Sequence, residues 1–534
     1  MEETIALLRE QSGRSIDKGQ PLTRLAFGLG ILLLLVYAAF PTRNHYWDGI
    51  GFALNIEGAA QGESELADPM GGTQIYFNPN HLLHNLLGYV VYVPVHKLFP
   101  AVRALDVLVR VNMLLSAIAA MLVFLMLARW SGDLRLSLWL TLLMSFSATW
   151  WKFSTDANAY VPGVFLLVAC TFLLSDPLRR PPVALIGLLH AAGILVHQIS
   201  VLFFPAAVLA IWTHSYWCSG REKRKAAAVY TLVAGVAVIA AYLWVWFGVL
   251  NREWSPSAFL TWITYNGNEV YAYRSAVSNV LESLRSSMKV FFGGRISLAL
   301  KIVEVPVLAL GLAAMLAALA YLVAGIRKMR AEPSRIELSS LDQRFSRKFL
   351  YAWTGGFFVF LFFWLTEYPY YRLFCLPALV LLLAVQVKQH PLAMNPMKAF
   401  IIFLVAFNFT FMIYPYSKVE STQPVKLASE ARAIWKSNVV VLYKESTCDN
   451  WIMQYFNPQT NWRLVDFTNL DQVAHDIREA FQNGQSVWLD TSVLGQLESS
   501  PELLRWLQGH AAMSKAWGIS NARHHIQFTE LLPL

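Results

Sequence analysis

The chain has 534 residues, 56% of them hydrophobic and only 14% charged, with a mean hydropathy of +0.43. That composition excludes a soluble enzyme and describes a polytopic membrane protein. The net charge of +9 does not point to nucleic acid, because Lys and Arg cluster in short loops between apolar runs.

The first apolar run, Leu25 to Phe40, follows a segment carrying Arg9, Arg14, Lys18 and Arg24. It ends in Ala38-Ala39-Phe40-Pro41-Thr42 without a small-residue cleavage site, so a retained helix is expected rather than a removed signal peptide. Just past it stands Tyr46-Trp47-Asp48-Gly49. An acid placed there stays ionised without the cost of burial in hydrocarbon. It can equally cap the short helix that follows. The long segment 42–106 is polar and aromatic; within it Leu82 to Phe99 is apolar but interrupted by Asn85, Pro94, His96 and Lys97. Helices lying along the interface are expected there, not a crossing.

Further basic loops run from Arg129 to Arg135, at Arg179-Arg180, and from Arg221 to Lys225, Arg327 to Lys348 and Lys388 to Lys398. With all of these cytoplasmic alongside the N-terminus, each interval holds an even number of crossings. That parity splits Leu134 to Leu174 into two helices around the waist Trp150 to Tyr160, and folds Val183 to Thr213 into a hairpin near His197-Gln198. About eleven spans follow, near 25–41, 107–128, 135–151, 160–175, 183–197, 199–214, 226–248, 302–325, 349–365, 370–387 and 397–414. The N-terminus is expected inside and the C-terminus outside, in a bacterial inner (plasma) membrane. Residues 1–417 form the expected membrane domain, with outer loops 42–106 and 249–301. No internal repeat of the transporter kind is present. Cys170, Cys218, Cys375 and Cys448 are scattered and imply neither a disulfide framework nor a metal spacing.

After Tyr416 the charge density becomes ordinary. Val439 to Tyr443, Arg463 to Phe467 and Ser486 to Leu489 read as short buried strands. Asp471 to Gln482, stopped by Asn483-Gly484, reads as a helix. A small extracytoplasmic α/β domain over 418–534 is expected. Its Asp490-Thr491-Ser492 loop could bind a ligand, but turn-forming residues account for it more simply.

Under this topology the spans carry almost no charge at mid-depth, while polar groups gather at the outer ends. They are Asp48 and Glu57; Asn78, His81 and His84; Lys152, Asp156 and Tyr160; His197; and Glu367 with Arg372. Singly, each reads as an interfacial anchor. Together, from five outer segments on one face, they describe a site at the lipid boundary.

The order of these residues resembles the GT-C glycosyltransferase superfamily, and more narrowly its protein O-mannosyltransferase and lipid A aminoarabinose transferase relatives. The resemblance is carried by Asp48 after the first span and the Pro-containing motif around Asn78-Pro79. The stretches Arg110 to Ala117, Thr155 to Tyr160, Gly193 to His197 and Arg372 to Leu379 extend it over roughly residues 25–390. It implies a helical membrane enzyme that uses a polyprenyl-phosphate-linked sugar. Asp48 falls at the family's first-loop acid, the base or orienter of the acceptor. Arg372 falls at the basic residue that holds the lipid phosphate, with His197 and Lys152 as further donor-phosphate contacts. Asn78-Pro79 lies where many members have His-Pro-Pro, so His81 is the nearest replacement. Asn158 stands where relatives often carry an acid, leaving Asp156 as the closest carboxylate.

A sugar phosphate already carries a good leaving group, so the reaction needs a base on the acceptor and cations on the departing phosphate. One displacement inverts the anomeric carbon. Glu57, Asn78, His81, Asp156, Tyr160 and Glu367 are the expected acceptor or sugar contacts. The expected partners are the lipid-linked donor, a glycan, lipid or protein acceptor, and the bilayer. No metal ligand spacing is present, although Asp48, Glu57 and the histidines could hold a divalent ion. The rival class is a flippase or transporter of a lipid-linked or polar substrate. The long first loop, the uncharged mid-membrane and the absent repeat count against it.

Overall fold

The computed structural model describes residues 16–61, 77–177, 179–264, 275–331, 347–389, 393–435, 438–443, 448–465, 470–490, 493, 501–514, 516–520 and 525–534. The chain divides into two units. The first comprises residues 1–42, 76–102 and 106–415; the second comprises 43–75, 103–105 and 416–534. Among the described residues, 43–61 and 103–105 fall in the second unit.

The first unit is helical. Its apolar runs become helices at Ile16–Ala39, Ala104–Ser131, Leu134–Ser145, Tyr160–Leu174, Val183–Val196, Phe204–Thr213, Gly220–Trp244, Val305–Ala331, Arg347–Phe363, Leu376–Gln389 and Met394–Asn408. Each corresponds to one expected span. Among the described residues, five stretches are long and apolar enough to cross a membrane: 21–39, 104–131, 220–249, 305–327 and 394–416. Helix Val305–Ala331 turns Val305, Leu310 and Leu316 outward at 67–77% exposure. Such a continuous aliphatic surface suits lipid and not water.

Helix ends follow local chemistry. Ala104–Ser131 stops where Gly132 takes a left-handed φ of 65° and its amide bonds back to the Ala128 carbonyl (3.0 Å). Asp133 then caps Leu134–Ser145 by accepting from the amides of Arg135 (2.8 Å) and Leu136 (3.1 Å). Ser219 and Glu222 form a reciprocal capping box that opens Gly220–Trp244.

Two expected spans are shorter than the sequence suggests. The run 135–151 breaks after Ser145, and a separate helix, Ala148–Ser154, begins after Ser147. The run 370–387 begins as a 3₁₀ turn, Pro369–Phe374, and becomes α-helical only at Leu376. In both places side chains capture backbone groups: the Ser147 hydroxyl donates to the Met144 carbonyl, and the Trp353 indole donates to the Phe374 carbonyl (2.9 Å each). The fully buried Asn408 amide donates to the Phe146 (2.8 Å) and Phe291 (2.6 Å) carbonyls, and its oxygen accepts from the Gly293 amide (3.2 Å). One polar side chain thus joins three segments inside an apolar bundle.

Within Leu82 to Phe99, helix His84–Leu98 turns Leu87, Val90, Val91 and Leu98 outward and buries His84, Asn85, Gly88 and Tyr92.

The second unit contains a six-stranded sheet of order β2-β1-β3-β6-β4, with β5 beside β6. The strands are β1 Val439–Tyr443, β2 Asn461–Leu464, β3 Ser486–Asp490, β4 Ala511–Met513, β5 Trp517–Ser520 and β6 His525–Pro533. Strand β1 runs parallel to β2 and β3, pairing Val441 with Trp462 and Val440 with Val487. Strand β6 is antiparallel to β3. All five residues of β1 are buried, as a central parallel strand covered on both faces requires. Val440 and Leu442 pack with Ile477, Val487 and Leu489 on one face. Val439 and Val441 pack with Trp435, Trp488 and Phe528 on the other. The expected strand from Arg463 instead begins at Asn461, and residues 466–467 lie outside the described residues. The helix expected over 471–482 is Leu470–Gln482.

Candidate functional site

In the first unit the site is assembled from turns at helix ends. Asn78 opens the 3₁₀ turn Pro79–His81 by accepting from the Asn80 amide (2.9 Å). The Tyr242 hydroxyl donates to the Pro79 carbonyl (2.7 Å), and the Leu83 amide donates to the Leu195 carbonyl (2.8 Å). Held in this way, His81 places Nδ1 3.2 Å from the Val196 carbonyl, which makes Nδ1 the protonated nitrogen.

Burial pushes the His81 pKa down to about 4 and that of His84 down to about 3, with His81 adding to the effect on His84. Both imidazoles are neutral at pH 7, so neither serves as a cation for a phosphate. The linkage has a definite sign. The folded pKa of His81 is depressed, so its contribution to stability is complete above about 6.5 and is lost as pH falls towards 4. Thermal unfolding in detergent should show wild-type stability dropping across that window more steeply than in His81→Gln.

His197 sits where Val183–Val196 ends and the 3₁₀ turn Gln198–Phe203 begins, in an extended conformation, with its amide bonded to the Gly193 carbonyl (2.9 Å). Its ring lies 4.6 Å from His81, 4.9 Å from Tyr160, 5.1 Å from Phe374 and 5.9 Å from Tyr371, centroid to centroid. The residue is 1% exposed, and among the described residues neither ring nitrogen has a hydrogen-bond partner. Gly163 makes this packing feasible, since a Cβ there would stand 2.9 Å from the Phe374 ring.

Tyr160 begins the next helix and connects the site sideways. Its ring is 5.1 Å from Phe153, 5.0 Å from Tyr370 and 5.7 Å from Tyr371. The loop before it is a knot of hydrogen bonds. The Asn158 amide donates to the Phe153 (2.6 Å) and Asp156 (2.9 Å) carbonyls, and its oxygen accepts from Val161 (3.0 Å). Asn112 adds bonds to the Asp156 (2.8 Å) and Asn158 (3.1 Å) carbonyls. Asn158 therefore shapes the loop. The Asp156 side chain is fully buried and accepts from the Ala157 amide (2.9 Å). Lys152, half-buried, lies within electrostatic reach of Asp156 and Arg295.

Arg372 lies in the turn Pro369–Phe374 and is 1% exposed, where an aqueous boundary was expected. Its Nη1 donates to the Tyr368 carbonyl and its Nη2 to the Ser283 hydroxyl, both at 3.1 Å. Its Nε has no partner among the described residues, and none of their carboxylates lies within ion-pair distance. Glu367, half-buried, follows Leu365, which closes Arg347–Phe363 in a left-handed conformation (φ 51°) that a branched residue adopts only under constraint.

The structure thus brings His81, Tyr160 and His197 into direct contact. Tyr370, Tyr371 and Phe374 connect them to the turn that carries Arg372, and Phe153 connects them to the helix of Lys152. The sequence reading missed Ser283, Tyr370 and Tyr371; a Tyr-Pro-Tyr-Tyr run beside the selected Arg372 was the available signal.

The remaining two expected residues lie in the second unit, on helix Trp47–Gln61. Asp48 is half-buried in its first turn. Glu57 is engaged by Arg103, the Ala104 amide and the Tyr455 hydroxyl.

A divalent ion finds no ligand set among the selected side chains. The one group of three ligating side chains among the described residues is His475, Asp476 and Glu479. Arg463 already pairs there with Asp476 (3.7 Å) and Glu479 (3.2 Å).

No family model matches the chain, and no curated protein matches it. Among solved structures, the chain is similar to ArnT from Cupriavidus metallidurans bound to undecaprenyl phosphate. The TM-score is 0.56 at 11% identity, over 95% of this chain and 97% of that one. The same protein in the apo state aligns with a TM-score of 0.45 at 12% identity, over 96% and 98%. The Archaeoglobus fulgidus oligosaccharyltransferase, in complex with Zn and sulfate, aligns with a TM-score of 0.44 at 14% identity, over 91% and 71%. The first of these alignments is end to end and shows that the two chains share a fold.

Proposed function

We propose that this chain is an integral-membrane glycosyltransferase of GT-C type that moves a sugar from a polyprenyl-phosphate carrier to an acceptor on the extracytoplasmic face. The observation that carries the reading is Arg372. A guanidinium on a residue only 1% exposed, with no carboxylate within ion-pair distance among the described residues, is costly to keep ionised. An incoming phosphate supplies the missing anion in a fork that matches guanidinium geometry. The similar ArnT structure holds undecaprenyl phosphate, a ligand of that chemistry.

In this reading Arg372 holds the departing phosphate, with Lys152 as a second cation. His197 offers two ring nitrogens without a partner among the described residues, and Tyr160 with His81 shapes the wall beside the sugar. Asp48 accepts the proton of the acceptor hydroxyl as that oxygen attacks the anomeric carbon. The bond to the phosphate oxygen breaks in the same displacement, and the configuration inverts. The test is to incubate purified protein with a panel of polyprenyl-phosphate sugars and follow the free polyprenyl phosphate. Release that depends on an acceptor is expected; no release from any donor sinks the assignment.

A further inference from the structure

Helix Trp47–Gln61, which carries Asp48, is fastened to the C-terminal sequence at several points. The Arg43 amide donates to the Tyr416 carbonyl (2.7 Å), and the His45 ring lies 6.1 Å from that of Phe456. Gly51 faces Trp451 so closely that a Cβ would meet the indole at 3.3 Å. The strongest fastening is at the far end of the helix. Arg103 Nε lies 3.1 and 3.2 Å from the two Glu57 carboxylate oxygens, and its Nη2 pairs with the same carboxylate. Arg103 Nη1 donates to the Tyr455 carbonyl, and the guanidinium stacks 3.8 Å over the Tyr455 ring. The Tyr455 hydroxyl closes the circuit, 3.1 Å from Glu57 Oε1 and 3.0 Å from the Leu105 amide, while the Ala104 amide donates to Glu57 Oε1 (2.8 Å).

The inventory is nearly complete. Glu57 accepts from a guanidinium, a phenol and an amide, and the Glu57 side chain is 12% exposed. Burial, with the Glu57 carboxylate beside it, pushes the Tyr455 phenol well above its ordinary value, so it remains a donor. A carboxylate so committed has little left to offer a sugar.

We infer that Glu57, Arg103 and Tyr455 are positioning residues: they form a latch through which the C-terminal domain holds the Asp48 helix in its working orientation. The inference rests on the reading of Asp48 as the base. It gives the C-terminal domain a role in turnover and moves Glu57 from substrate contact to support. A base displaced by about 1 Å can cost about 10²-fold in rate while leaving donor binding alone.

The test uses full-length protein carrying Arg103→Gln, Arg103→Lys or Tyr455→Phe. Three quantities are read: kcat for transfer, affinity for undecaprenyl phosphate, and amide exchange over residues 49–60. Tyr455→Phe retains the ring stacking and removes only the hydroxyl, so it still decides the matter if Arg103→Gln does not fold. The latch predicts exchange over 49–60 faster by about 10–10²-fold and a kcat lower by about 10²-fold, with donor affinity unchanged. Arg103→Lys, which keeps the charge but not the fork, should recover only part of the loss. Variants that lower the melting temperature yet turn over at the wild-type rate with the helix still protected overturn it. So do variants that loosen the helical unit and weaken donor binding alongside. If the wild-type protein transfers nothing, the proposed function fails, and exchange over 49–60 still decides whether the latch holds that helix.

Discussion

Asp48→Asn should leave a folded protein that binds its donor and does not turn over. As general base, the carboxylate supplies about 10²–10⁴-fold in rate, and an amide of the same shape cannot take the acceptor's proton. The competing role is structural. Asp48 stands in the first turn of Trp47–Gln61, where a negative charge interacts favourably with the helix dipole. Loss of that interaction costs about 0.3–1 kcal/mol of stability and nothing in chemistry. The two roles therefore separate by orders of magnitude in kcat at nearly equal stability. The measurement is transfer rate beside thermal unfolding for the same preparation. Transfer above about a tenth of wild type would falsify Asp48 as the base and make Asp156 the next carboxylate to examine.

Arg372→Gln should weaken the binding of undecaprenyl phosphate by about 10–10²-fold, the factor that loss of a charge-assisted hydrogen bond of about 1.5–3 kcal/mol produces. Glutamine can still donate to the Tyr368 carbonyl or to Ser283, so the turn Pro369–Phe374 should survive. Arg372→Lys should recover only part of the affinity, because a single ammonium cannot present the fork. The readout is titration of purified protein with undecaprenyl phosphate. Unchanged affinity in both variants removes Arg372 from the donor site.

Much of the helical unit was legible because each span is a local property. Eleven apolar runs give eleven helices, and the stop at Asn483-Gly484 marks the end of Leu470–Gln482. Alternation within Val439 to Tyr443 does not exist in the sequence, yet burial on both faces of a central strand explains why the run is uniformly apolar. What resisted reading depends on pairing between distant residues. Glu57 carries no mark of its partner Tyr455, which lies 398 positions away. Asn158 attracted attention because relatives carry an acid there, but its amide is consumed by the Phe153 and Asp156 carbonyls. Arg372 was placed at a wet boundary because an arginine beside tyrosines looks interfacial. Ser283 and the Tyr368 carbonyl, which let it sit buried, are invisible to hydropathy.

The discontinuous make-up of the second unit also sets an order of events during synthesis. Helix Trp47–Gln61 leaves the ribosome early, while its counterpart Cys448–Phe456 follows only after every helix of the first unit. At about 5–20 residues per second, the 398 positions between Glu57 and Tyr455 represent roughly 20–80 s of elongation. Throughout that interval Glu57 and Arg103 lack the tyrosine that completes their circuit. A nascent chain arrested between Tyr416 and Tyr455 therefore carries every helix of the first unit but not the tyrosine of the latch. If the latch holds Asp48 as proposed, competence for transfer waits for Tyr455, in the last fifth of the polypeptide.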